Sequence, residues 1–204
     1  MAQTLKELRS EAFLLGGDDV EERIPPALID LWINEGARLY LERTERKMGI
    51  YTATFADDAQ TSVLTTWIGK MKRAWQDNAD EQYDVVDFEL EELYFRSTIS
   101  TPTGRKVIAR SGGSLYISPV ISGGDDIYVL CVQPATALAS DSDELDDETD
   151  PQAVIAHAMY KVFIRMANPQ MAQLMMAEYE MHVRSGMAQG GREQRDTGPM
   201  EGVR

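Results

Sequence analysis

The chain has 204 residues, 43% of them hydrophobic, and a formal net charge of −14. That length and content suffice for one good core, whereas the acidic balance excludes a broad phosphate-gripping surface, which needs clustered Lys and Arg. Cys131 is the sole cysteine, which excludes an internal disulfide framework. Its place inside IYVLCV predicts a small buried hydrophobe.

No apolar run approaches the ~18 residues of a membrane span, and MAQTLKELRS lacks the basic-then-apolar pattern of a secretory signal. A soluble chain made in a cytoplasm, with no membrane partner, is expected.

Thr4 and Glu7 have the spacing of a capping box, and Leu5, Leu8, Ala12 and Leu15 share one helical face until Gly16-Gly17. This predicts a helix over about 4–15. DDVEERIPP reads as a loop. After Pro26, Ile29, Trp32, Ile33, Gly36, Ala37, Tyr40 and Leu41 recur at three and four residues, predicting a helix over about 26–48 that ends at Gly49. Val63, Leu64, Trp67, Ile68, Met71 and Trp75 suit a helix over about 60–77, while 78–92 stays open, with QYDVVDFEL alternating as a strand would.

From Leu93 to about 133 the pattern is β-like: LYFRSTIS, RKVIAR, SLYISPV and DIYVLCVQP, separated by turn residues. A four-stranded antiparallel meander follows, with Gly112-Gly113 and Gly123-Gly124 as hairpin turns and Pro119 at a strand end or edge. Asp150-Pro151 and Asn168-Pro169 each carry a cap followed by proline, opening helices over about 151–166 and 169–186 that pack as a hairpin and stop at Gly186. The expected fold is α+β, mainly α. It is a helical bundle with a small antiparallel β-meander or hairpin arm, one domain over 1–187 and a flexible tail over 188–204.

Chemistry is sparse. His157 and His182 fall on separate predicted helices without further ligands at metal-binding spacing, so His157 reads as a satisfied helix histidine rather than a ligand or base. The glycine pairs lack the Gly-Lys-Ser/Thr of a phosphate loop. DSDELDDETD, residues 141–150, carries seven acids, Asp141, Asp143, Glu144, Asp146, Asp147, Glu148 and Asp150, and no base; Leu145 stands where a calcium loop of the helix-loop-helix type needs an oxygen. The run therefore reads as solvated charge. Seven of the eleven methionines lie between 159 and 187 and read as gap-filling core. No catalytic residue, cofactor or metal is expected.

Leu115, Ile117 and Pro119 of SLYISP, then Leu138, Asp141, Asp143 and Leu145 of the loop, then Asn168, Pro169, Ala172, Glu178, Tyr179 and Glu180 of the last helix form an ordered set. In that order, and following LWINEGARLYLER, they resemble the head-to-tail connector adaptor family of tailed phages. The likeness covers most of the chain, most closely 112–183, and departs from it at SVLTTWIGKMKRAW.

The resemblance implies a structural virion protein of the neck. It would form a ring, dodecameric in the family, below the portal, join capsid to tail and line a channel through which DNA passes. Its partners would be the portal protein, the next tail or neck protein and further copies of itself, with 26–48 and 151–186 as lateral contacts. The acidic loop from Asp141 to Asp150 would face the channel or the tail-side rim. The final segment would order against the portal through Arg192, Arg195 and Arg204, with Met200 and Val203 as apolar anchors. A reading from another class is an acidic regulator or DNA mimic that binds a basic partner.

Overall fold

The computed structural model describes residues 3–76, 82–89, 105–120 and 125–196. Their packing separates into two compact units, a helical one built from residues 1–47 and 134–204 and a β unit spanning 48–133.

The helical unit begins with α1, Leu5–Gly16. Thr4 accepts from the Glu7 amide and the Glu7 carboxylate accepts from the Thr4 amide, so the capping box is complete, and Gly17 ends the helix at φ 74°. A short helix α2, Asp18–Arg23, replaces the expected loop, because Val20 is fully buried and draws DDVEER into a turn over the core. α3, Pro26–Thr44, starts with proline in its first turn and ends at Glu45 in the left-handed region, φ 53°. α4, Pro151–Arg165, is capped by Asp150, whose carboxylate accepts from the Gln152 amide. α5, Pro169–Asp196, opens beneath Asn168, whose side-chain oxygen accepts from the Met171 amide.

Leu8, Ile29, Ile33, Val154, Ala158 and Met159 form the main core of this unit. A second cluster joins Tyr40, Leu41, Ala153, Tyr179 and Val183. The first is made by apolar stripes of α1 to α5 meeting and the second by those of α3, α4 and α5, which is why no helix needs to be strongly apolar all round.

Among the described residues the β unit holds seven strands: β1 Met48–Phe55, β2 Thr61–Val63, β3 Met71–Gln76, β4 Gln82–Val85, β5 Val107–Ser111, β6 Ser114–Ser118 and β7 Asp125–Val132. They hydrogen-bond in the order β1-β7-β3-β4-β5-β6-β2, antiparallel except for the parallel pair β4–β5. The two ends of the sheet face each other across a seam. There the Ser62 hydroxyl donates to the Thr54 carbonyl at 2.8 Å, and the Thr65 amide donates to the Tyr51 hydroxyl at 3.0 Å. The sheet is therefore nearly closed into a barrel, filled by Phe55, Ile68, Ile108, Ile117, Ile127 and Val129.

This overturns the expectation of a helical bundle with a small hairpin arm. Residues 60–76 of the expected helix over 60–77 are not helical, and residue 77 lies outside the described residues. Their apolar residues recur at helical intervals because two short strands flank a bend, in which Ile68 turns into the barrel core and the Gly69 amide donates to the Val132 carbonyl at 2.7 Å. Met48 and Gly49 belong to β1 rather than to the end of α3. Gly112-Gly113 does turn a hairpin, β5–β6, with Gly112 at φ 57°.

The strands flanking Gly123-Gly124 are not partners. β6 pairs with β5 and β2, and β7 lies between β1 and β3, so no meander runs through them. Residues 93–104 and 121–124 of the expected meander lie outside the described residues. Nor does α5 stop at Gly186. A β-carbon there would collide with the Tyr40 hydroxyl and the Thr44 methyl, so this glycine serves close helix packing, and α5 continues to Asp196 through the start of the expected flexible tail. Among the described residues no helix is long and apolar enough to cross a membrane.

Candidate functional site

The acidic loop is the densest set of ionisable side chains that the sequence singles out, and four of its seven acids are tied into the helical unit. Asp141 accepts from Arg9 at 2.8 Å, and the same guanidinium is bidentate to Asp30 of α3 at 2.6 and 2.9 Å. Asp143 accepts from the Ala139 and Ser140 amides at 2.7 and 2.8 Å. Those contacts, led by the Ser140 side chain, hold its carboxyl below the usual range.

Asp146 accepts from Lys47 at 2.8 Å, from the Thr136 amide at 2.8 Å and from the Thr136 hydroxyl at 2.7 Å. Partial burial works to raise its carboxyl, but Lys47 and Thr136 outweigh that and leave it lowered. Asp150 caps α4 with one oxygen and meets His182 Nδ1 of α5 with the other at 2.7 Å.

The backbone of the loop completes the clasp. The Leu5 amide donates to the Asp143 carbonyl and the Leu145 amide to the Gln3 carbonyl, both at 2.9 Å, while the Lys6 amide reaches the Asp141 carbonyl at 3.3 Å. The first amides of α1, which have no partner inside the helix, are thus satisfied by the loop, whose negative charge also suits a helix N-terminus. Leu145 is buried in the main core. Its apolar side chain, which spoils the run as a calcium loop, anchors it as a packed one.

Of the seven acids, Glu144 and Asp147 are exposed and Glu148 half-buried, and none of the three has an ion pair or side-chain hydrogen bond among the described residues. These are the acids left to act on a partner. The sequence reading of a wholly solvated run missed Arg9, Asp30, Lys47 and Thr136, all remote in the chain. No local charge excess announced them: α1 carries Lys6 and Arg9 beside Glu7 and Glu11, and α3 carries Arg38 and Arg43 beside Asp30, Glu35 and Glu42.

The portal-directed residues divide. Arg192 and Arg195 fall on the last turns of α5, whereas Met200, Val203 and Arg204 lie outside the described residues.

The surface of the helical unit carries a second feature. α5 has two apolar faces: Ala172, Tyr179, Val183 and Gly186 are buried, while Leu174, Ala177 and Met181 are exposed at i, i+3 and i+7, Leu174 by 55% and Met181 by 59%. On α3, Leu31 is likewise exposed. It borders an open groove of about 390 Å³ with Asn34, Glu35, Arg38 and the Ala135–Ala137 segment. A smaller groove of about 190 Å³ lies among α1, α4 and α5, walled by Leu15, Met159, Phe163, Met171 and Met175 with Glu11 and Glu178 among its polar lining residues. Methionines therefore serve both core and groove wall.

Cys131 is fully buried and burial pushes its thiol up, as for a packing residue. Among the described residues no group of three or more His, Cys, Asp and Glu side chains could hold a metal ion. No family model matches the chain, and no curated protein matches it.

Proposed function

We propose that the chain is a structural virion protein, a head-to-tail connector adaptor that forms a ring below the portal, joins capsid to tail and lines the channel for DNA. The second apolar face of α5 carries this reading. A helix with one buried stripe and another of Leu174, Ala177 and Met181 left exposed is shaped to be covered by a second chain. Repetition of one such lateral contact around an axis generates a ring.

The residues behind the resemblance have physical work in the helical unit: Asn168 caps α5, Ala172 and Tyr179 pack inward, and Glu180 is bidentate to Arg43 at 2.5 and 2.8 Å. The clasped loop leaves Glu144, Asp147 and Glu148 without ion pairs among the described residues, which supports a role for them in repelling phosphates or steering a basic partner.

The test is imaging and sedimentation of the full chain with the isolated portal ring. The wild type should add a closed ring of this protein to the portal, and the double variant L174D/M181D should keep its thermal midpoint yet fail to do so. A wild type that leaves the portal bare, or a double variant that assembles as well as the wild type, overturns the proposal.

A further inference from the structure

His157 is the buried ionisable side chain that neither the core nor the proposed assembly uses. Its side chain is 4% exposed, and among the described residues neither ring nitrogen has a hydrogen-bond partner. Sequence reading took it for a satisfied helix histidine; it is packed but unsatisfied. Gly36 of α3 packs closely on it: a β-carbon there would lie 3.1 Å from its Cβ, 3.3 Å from its Cδ2 and 3.2 Å from the Val154 carbonyl.

The charged and titratable groups around the ring come from three helices. α3 supplies Glu35, whose Oε2 is 3.8 Å from Nε2, and Arg38. α4 itself supplies Lys161, which donates to the other Glu35 oxygen at 2.9 Å, and Tyr160. α5 supplies Tyr179, edge-on at 5.4 Å between centroids, with Arg43 over the Tyr179 ring and paired to Glu180.

We propose that His157 is a proton sensor built into the contact between α3 and α4, neutral in the packed state and loosening that contact when it takes a proton. A charged imidazolium needs two acceptors, and the described residues of the packed site give it none within hydrogen-bond distance. Glu35 is the nearest carboxylate. It stands beyond hydrogen-bond reach and is already held by Lys161, so relieving the charge requires Glu35 to move, and with it the wall of the groove that Glu35 shares with Leu31, Asn34 and Arg38. Burial lowers the ring's affinity for a proton more than Glu35 restores it.

The direction in pH follows from which state holds the proton. Above about pH 6.5, the value of a free histidine, both folded and unfolded chains carry a neutral ring and stability is complete. Below it the unfolded chain binds a proton that the folded chain refuses. The unfolding constant then rises up to about tenfold per pH unit until the lowered folded value is reached.

The experiment uses the full chain. His157 and His182 are its two histidines, so the ring resonances are assigned by comparison with H182Q and titrated by nuclear magnetic resonance. Urea unfolding is then measured at pH 7.0 and 5.5 for the wild type, H157M, E35Q and H182Q. The His157 ring should stay neutral below the free-histidine value. The acid-induced rise in the unfolding constant should be several-fold smaller in H157M than in the wild type, larger in E35Q and preserved in H182Q. An H157M rise equal to the wild type's, or a His157 ring half-protonated at or above about pH 6.5, overturns the proposal. Should H157M fail to fold, the titration of the wild-type ring decides alone.

Discussion

Replacing Asp146 with alanine tests whether the acidic loop is a clasp or a solvated run. The Asp146 side chain is 14% exposed and accepts three hydrogen bonds of 2.7–2.8 Å, from the Lys47 ammonium, the Thr136 amide and the Thr136 hydroxyl. Bonds to a charged group are worth about 1.5–3 kcal/mol each when buried. Thr136 is exposed and can rehydrate, so the loss is well short of three full bonds, about 3 kcal/mol in all. For a chain of this size that lowers the thermal midpoint by about 6–12 °C.

The assay is thermal and urea unfolding followed by circular dichroism at 222 nm, beside the control D147N/E148Q, which removes two charges from side chains that have no ion pair or side-chain hydrogen bond among the described residues. The control should stay within about 0.5 kcal/mol of the wild type. Because the folded Asp146 carboxyl is lowered, its contribution is present above about pH 4, the unfolded value, and is lost as pH falls through the folded one. The gap between D146A and wild type should therefore close in acid. A D146A midpoint equal to the wild type's, or a D147N/E148Q loss as large as that of D146A, would refute the clasp.

Gly186→Val drives a branched side chain into Tyr40 and Thr44 and should cost about 1–3 kcal/mol in urea unfolding, against a few tenths for a variant at exposed Ser185. Thr4→Ala removes the capping box of α1 and should cost about 1 kcal/mol, with hydrogen exchange quickening first in residues 5–8. Leu145→Ala empties a core site under the loop and should cost about 2–5 kcal/mol without any change in net charge. A chain ended at Asp196 keeps α5 whole and should retain its helical signal and midpoint while losing most of its affinity for the portal ring. Undiminished binding would dismiss a contact through Met200, Val203 and Arg204.

What the sequence determined by itself lies within one turn of chain. Thr4 with Glu7, Asp150 with Pro151 and Asn168 with Pro169 announce the starts of α1, α4 and α5 because a cap is an interaction between residues two or three apart. Gly112-Gly113 announced the β5–β6 hairpin for the same reason.

The rest is non-local. β1 pairs with β7 from Met48 opposite Val132 to Phe55 opposite Asp125, a register that nothing near either strand encodes, and without it the strands between them read as a helix and a meander. Gly186 looks like a stop until Tyr40 is brought against it, and His157 looks satisfied until Gly36 and Glu35 define its surroundings. The acids at 141, 146 and 150 look like free charge until Arg9, Lys47, Thr136 and His182 are placed. Only the tertiary structure decided which of these charges are available to a partner, because a carboxylate's role depends on what stands within about 3 Å of it, and those neighbours come from distant parts of the chain.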